Sequence, residues 1–313
     1  MSGRRAVAAA IVAAAVAAGT ILARPARYEV EGLSMAPGLM PGDIVTTGWL
    51  PAADRFRRPR RFERWIVAPP DGGTAVKRVA GLPLETVEIR AGDLFANGVV
   101  VRKAPTDLAA MAMLIPLPLD TGPHHARLPA GEVHDDDAFA AEVNRPLEPV
   151  RDVGLMVVLR TGTTTSLVTV RLGDAALRWR IPPQARIRLI AGRLDGHLVA
   201  VAWRDRKAAP AAVGAAFPSA VPAAWSFTEP CRNDPDTTMP PRCEVRVSDT
   251  AVIDEAVAWR DVHLRPTADG TTSWRLDGGA YLLLGDFPSG SIDSRTWGPL
   301  PAAALRYRVP RSR

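Results

Sequence analysis

The sequence predicts a mostly β protein. Its core of short strands is split by an inserted β-rich, sandwich-like domain and preceded by one transmembrane helix. Three observations predict it. Pro and Gly are abundant, at 29 and 25 of 313 residues, which favours short elements joined by turns. Runs that alternate apolar and polar residues recur throughout the body of the chain. An uncharged, alanine-rich segment, Ala6–Ala23, stands ahead of them. Hydrophobic residues make up 47% of the chain, enough for packed cores and too many for a disordered polymer.

The elements follow in order. As a helix, Ala6–Ala23 spans roughly 27 Å, close to the hydrocarbon thickness of a bilayer. Arg4 and Arg5 before it favour a cytoplasmic N-terminus. Residues 1–27 are therefore read as a stub and a single-pass anchor in the inner membrane, with the body on the extracytoplasmic side. A cleavable signal peptide ending at "ILA" or "RPA" is the alternative. Residues 28–105 form the first part of the core. There "DIVTTGWL", "RWIVAP", "AVKRVAGLP" and "ETVEIRAGDLFANGVVV" read as short strands, with Asn97-Gly98 as a hairpin turn. Residues 106–257 read as the inserted domain, with "LMVVL", "SLVTVRL", "ALRWRI", "ARIRLI" and "HLVAVAW" at about 8–12-residue spacing. Leu177, Trp179 and Ile181 alternate with Arg178 and Arg180, and Ile187 and Leu189 with Arg186 and Arg188. An Ala/Pro-rich connector, "AAPAAVGAAFPSAVPAAW", closes the run. Residues 258–313 resume the core: Tyr281–Leu284 reads as a buried strand, followed by a long ordered loop rich in Gly, Pro, Ser and Asp.

Net charge is +6, which suits an anionic membrane surface or nucleic acid. No helix-turn-helix, zinc-finger or RNA-binding pattern is present, so nucleic acid is not an expected partner. Arginines crowd "DRFRRPRRFERW" together with Phe56, Phe62 and Trp65. That stretch reads as a solvated loop or as an aromatic rim on lipid headgroups. Cys231 and Cys243 bracket a turn-rich loop and could pair in an oxidising compartment. The histidines of "GPHHARLPAGEVHDDDAF" match no metal-ligand spacing. That stretch reads as a hydrated acidic loop, and no metal or cofactor is expected.

The chemistry rests on a serine and a lysine. No HExxH, GxSxG or P-loop occurs, and no histidine lies in the strongly patterned segments. Ser34 sits in "VEGLSMAPGLMPGDIV", a tight Gly/Pro-rich turn soon after the apolar segment. A serine hydroxyl is a poor nucleophile until a base removes its proton. A lysine can do so only when neutral, and burial among apolar groups lowers its pKa. Lys77, in "TAVKRVAGL", fits. On a strand it points to one face while Val76 and Arg78 point to the other, which leaves Arg78 solvated or paired.

In that order, "GLSMAPGLMPGDIV", "AVKRVAGLP" with "FANG", and "LLLGDFPSGSIDSRTWG" resemble the boxes of bacterial type I signal peptidases. The resemblance covers about residues 1–103 and 270–308. It implies a catalytic core of β-barrel or sheet form and a membrane-anchored serine endopeptidase that removes signal peptides from exported preproteins through a Ser/Lys dyad. Preproteins and the lipid bilayer are then the partners. By the same resemblance Ser34 is the nucleophile and Lys77 the general base. Ser291 orients the lysine ammonium. The Ser34 N–H is an oxyanion donor, and Met35 and Pro37 shape the turn. Gly285, Asp286 and the ion pair Asp293–Arg295 are structural supports. The chain departs from the family pattern at several places. Gly32 stands where some relatives carry a second oxyanion donor, Gly38 where Thr is usual, Phe287 where Asn is usual, and Leu84-Glu85 where Gly-Asp is usual. Two other readings remain. One is a self-cleaving repressor of the SOS type, which shares a Ser/Lys site but needs a DNA-binding domain in place of the anchor. The other is an anchored, catalytically weak homologue that binds through its insert.

Overall fold

The structure is a computed structural model and describes residues 25–47, 57–129, 131–136, 145–173, 175–204, 243–267 and 270–310. The expected anchor, Phe56, Cys231 and the Ala/Pro-rich connector lie outside them. Among the described residues no helix is long and apolar enough to cross a membrane. Among the described residues strands dominate and the helices are short, the longest being Pro105–Met111. The chain divides into two compact units. The first comprises residues up to 88, 96–98 and 266–311, and the second 89–95 and 99–265.

The first unit is built on a five-stranded antiparallel sheet in the order Leu300–Pro301, Ala280–Leu284, Ala75–Gly81, Arg64–Val67, Leu305–Val309. Ala75–Gly81 is central, so its apolar residues pack on both faces. Val79 joins Trp65, Leu283, Tyr281 and Leu305 on one side, and Val76 joins Ile66, Val45 and Val309 on the other. A separate hairpin, Arg27–Glu29 against Ile44–Thr46, holds the Ser34 turn between its strands. Thr86–Glu88 pairs with Ser273–Arg275. Each sheet is open, so the barrel form is not adopted: Leu300–Pro301 and Leu305–Val309 remain edges of the main sheet.

The arginine-rich stretch differs from the lipid-rim reading. Phe62 and Trp65 are buried, at 7% and 1% exposure, and belong to the interior. Arg61 reaches the Ala80 carbonyl and Glu85, and Arg64 reaches the Gly38 carbonyl at 3.1 Å.

The second unit is a sandwich of two five-stranded antiparallel sheets. One runs Ala175–Ile181, Ser166–Leu172, Cys243–Val247, His125–Arg127, Asp120–Gly122. The other runs His197–Arg204, Arg186–Leu194, Val153–Thr161, Ala251–Arg260, Met113–Ile115. Val168, Val170, Leu172 and Val245 of the first meet Leu155, Val157, Leu159, Ile187 and Leu189 of the second in one core. Leu177 and Trp179 pack against it while Arg178 and Arg180 are exposed, as period-2 alternation dictates. The outer face of the second sheet is covered by Leu108 and Ala112, next to Trp259, Ile190 and Val201. Asn97 and Gly98 both take positive φ, 51° and 79°, which is the hairpin turn the sequence signals. Cys243 is a free, buried thiol, and burial pushes it up to about 12.

The acidic stretch is not a hydrated loop. Asp135 and Asp136 are buried and pair with Arg145, and Asp135 also pairs with Arg265 at 2.5 Å. Burial alone would raise Asp135, but hydrogen bonds from Arg265, the Glu148 N–H and Arg145 outweigh it and hold it at about 2.

Candidate active site

The Ser34 turn is closed by its own backbone. The Ala36 N–H donates to the Leu33 carbonyl and the Leu39 N–H to the Met35 carbonyl, both at 2.9 Å. Met35 and Ala36 are buried, at 1% and 0% exposure, so the turn is pinned by apolar contacts while Ser34 beside them stays partly open. Behind the turn, the Phe287 N–H donates to the Ser34 carbonyl at 3.1 Å. That bond is made by backbone, so Phe serves there as well as Asn.

Lys77 lies opposite Trp65 in the central strand and is 3% exposed. Its Nζ donates to Ser34 Oγ at 2.8 Å. The Trp297 ring lies to one side, its centroid 5.9 Å from Nζ. Burial lowers the Lys77 pKa from 10.5 to about 8, against the opposing pull of the Asp293 and Asp286 carboxylates and with a small push from Arg295. Desolvation outweighs two nearby carboxylates, so Lys77 loses its proton far more readily than a surface lysine.

The loop after Ala280–Leu284 supports this pair. Asp293 is fully buried and caps the short helix Ser294–Trp297. Its Oδ2 accepts from the Gly285 N–H, Ser291 Oγ and Arg295 Nη2 at 2.9, 2.8 and 2.8 Å. Its Oδ1 accepts from the Arg295 N–H and Nε at 3.1 and 2.9 Å. Burial would raise its pKa, but the Arg295 bonds and charge, with those from Gly285 and Ser291, hold it below the usual carboxylate value. Arg295 also reaches the Pro288 carbonyl at 2.9 Å, which ties both ends of the loop together. The Ser291 hydroxyl therefore donates to Asp293, whereas Lys77 donates to Ser34.

Gly285 is required by space. A Cβ there would lie 2.5 Å from the Ser34 carbonyl oxygen and against the Ser291 hydroxyl. On the other face of the lysine strand, Arg78 donates from Nε to Asp286 Oδ1 at 2.6 Å and from Nη1 to the Phe62 carbonyl at 2.6 Å. Both partners of that pair are nearly solvent-free, at 5% and 2% side-chain exposure. The structure thus brings Ser34, Met35, Lys77, Gly285, Asp286, Ser291, Asp293 and Arg295 into one unit. Sequence reasoning did not single out Trp297 or the union of Arg78 with Asp286. The signal was available in part: Arg78 follows Lys77 on a central strand, where a charge must find a partner.

Comparison with known proteins points the same way. Residues 3–146 match the signal peptidase family, peptidase S26, a stretch that contains Ser34 and Lys77 but not the loop of Gly285 to Arg295. The chain is 35% identical to signal peptidase I V of Bacillus subtilis (strain 168) over 71 residues, which are 23% of this chain and 41% of that relative. It therefore spans less than half the length of the curated relative it matches. Over residues 3–146 the chain is thus similar to the signal peptidase family, peptidase S26, and the order of its serine, lysine and aspartate segments agrees with that likeness.

Proposed function

We propose that this protein is a membrane-anchored serine endopeptidase that cuts signal peptides from exported preproteins, with Ser34 as nucleophile and Lys77 as general base. One observation carries the reading: a buried lysine amine lies 2.8 Å from a serine hydroxyl in a backbone-fixed turn. In the neutral form of Lys77 the hydrogen bond reverses, and Ser34 Oγ–H donates to Nζ. Ser34 Oγ then attacks the scissile carbonyl as its proton passes to Lys77. The Ser34 N–H faces the resulting oxyanion. Lys77 returns the proton to the leaving amine, and the C–N bond breaks to leave an acyl-enzyme on Ser34. A water then gives a proton to Lys77 and attacks the ester, which restores the Ser34 hydroxyl. Asp293 and Arg295 act as props, since both are fully engaged with each other and with the loop backbone. An extended substrate with small residues at the cut suits such a site. Retention by the Ala6–Ala23 segment, with the body extracytoplasmic, would put Ser34 close to where membrane-borne substrates emerge.

The test is cleavage of a purified preprotein by the wild type, Ser34→Ala and Lys77→Ala. Each variant is expected to lose nearly all turnover while keeping its circular dichroism, and the double variant to lose no more than either alone. Near-wild-type turnover by Ser34→Ala would overturn the mechanism. For the location, external protease on cells with a permeabilised outer barrier should digest the body, and full protection would refute the extracytoplasmic placement.

A further inference from the structure

In the second unit, the antiparallel register gathers carboxylates at one end of a sheet. Asp152 precedes strand Val153–Thr161, Asp195 sits in the turn between Arg186–Leu194 and His197–Arg204, and Asp261 follows Ala251–Arg260. Val153 pairs with Arg260, Gly154 with Gly192, and Leu194 with His197, so all three positions fall at the same edge. Asp93, from strand Asp93–Ala96, joins them. Oxygens of Asp93, Asp152 and Asp195 all lie within 4.8 Å of one another. These residues and Asp261 line one cavity of about 570 Å³.

The cluster is not closed by its own hydrogen bonds. Lys103 Nζ takes Asp261 Oδ2 at 2.6 Å, and Arg193 Nη1 takes Asp152 Oδ1 at 3.2 Å. The Asp195 N–H donates to Asp152 Oδ2 at 2.9 Å. Yet Asp261 Oδ1 and Asp195 Oδ2 are buried with no hydrogen-bond partner, and Asp261 is only 2% exposed. An orphan carboxylate oxygen in such a place is costly unless a cation or water meets it. Arg151 and His263 also line the cavity, but the His263 ring is engaged with Glu148 at 2.8 Å.

We propose that Asp93, Asp152, Asp195 and Asp261 form a binding site for a hard divalent cation, Ca²⁺ in preference to Mg²⁺. The clustered donors are carboxylate oxygens, which select hard cations over those that seek nitrogen or sulfur. The cavity leaves room for waters beside the carboxylates, so the ion's shell would be part protein and part solvent. Ca²⁺, with about six to eight oxygen ligands in flexible geometry, tolerates this better than octahedral Mg²⁺. The bound ion would fasten four chain segments at one end of the sandwich. The cluster contains neither Ser34 nor Lys77, so the proposal stands or falls separately from the peptidase reading.

The test uses the full chain in detergent after treatment with EDTA. Calcium and magnesium chloride are titrated by calorimetry, and thermal unfolding is followed with each ion. Saturable Ca²⁺ binding is expected, with Mg²⁺ roughly tenfold or more weaker. At about 100 times Kd, Ca²⁺ should move the unfolding transition up by several degrees. Asp93→Asn/Asp195→Asn should abolish both the heat and the shift, without lowering the Ca²⁺-free transition, because it removes mutual repulsion. Should the double variant not fold, Asp93→Asn alone is read by calorimetry and should bind at least about tenfold more weakly. Absence of heat and shift in the wild type, or unchanged Ca²⁺ affinity in a folded variant, would overturn the proposal.

Discussion

A lysine at 3% exposure is held against its own solvation. Its pKa falls from 10.5 to about 8 on folding, which corresponds to roughly 3 kcal/mol of disfavoured charge. Below about pH 8 that penalty is present in full. Between the folded and unfolded values the unfolded chain binds the extra proton, so this residue makes stability rise with pH across that window. Lys77→Met should therefore abolish cleavage yet raise stability at pH 7 by about 1–3 kcal/mol, measured by denaturant unfolding. In the wild type, under the proposed mechanism, kcat/KM should climb with pH along a limb centred near the free-enzyme lysine value of about 8, because there only the neutral amine accepts the serine proton. A stability loss in Lys77→Met, or a flat pH profile between 6 and 9 (about a thousandfold in proton activity), would contradict this account of the residue.

The elements around Ser34 and Lys77 were legible to different depths. The lysine strand, the Asn97-Gly98 turn and the alternating strands of the second unit are written in local period and turn chemistry. The open sheet was not, because closure depends on how edge strands twist and pair, and no residue pattern records that. The pair Asp135–Arg265 was likewise hidden, and of Arg78–Asp286 only the need for a partner could be read. Their partners lie far apart in the chain, and a charged residue read in isolation looks solvated. The same limit concealed the carboxylates 93, 152, 195 and 261. Two backbone positions nonetheless make a paired prediction of opposite sign. Leu84, where the family pattern has Gly, takes φ 68° and is 79% exposed. Leu84→Gly should relieve left-handed strain and stabilise by about 0.5–1 kcal/mol. Gly285→Ala puts a Cβ against Ser291 and the Ser34 carbonyl. It should destabilise by about 1–3 kcal/mol and cut turnover, because the serine turn must move. Thermal unfolding and the preprotein assay read both, and a neutral Gly285→Ala would show that the turn yields without cost.

At the scale of the molecule, the first unit is discontinuous in sequence, yet its two long stretches, up to 88 and 266–311, meet in register. Glu88 and Ser273 are direct antiparallel partners, which is the geometry a tight hairpin closes. Replacing residues 89–272 with Asn-Gly should preserve the sheet of the first unit and the Ser34–Lys77 pair, since a two-residue primed turn fits that register. Circular dichroism and the cleavage assay check it. A folded but inactive product would mean that the removed part takes part in building the site or presenting the substrate. An unfolded one would mean that the units share their stability.

That pairing also bears on how the protein is made. The central strand, Ala75–Gly81, draws one neighbour from Arg64–Val67 and the other from Ala280–Leu284, about two hundred positions downstream. During synthesis Lys77 has half of its sheet until Ala280–Leu284 has left the ribosome. Asp293 and Gly285, which back the serine turn, arrive at the same late moment. A coil of that length would close slowly, whereas an insert already folded with its ends together shortens the effective loop. Under the proposed mechanism the nascent chain is an inert precursor until then, and hydrolytic competence switches on with Ala280–Leu284 and the loop after it rather than with the appearance of Ser34 or Lys77.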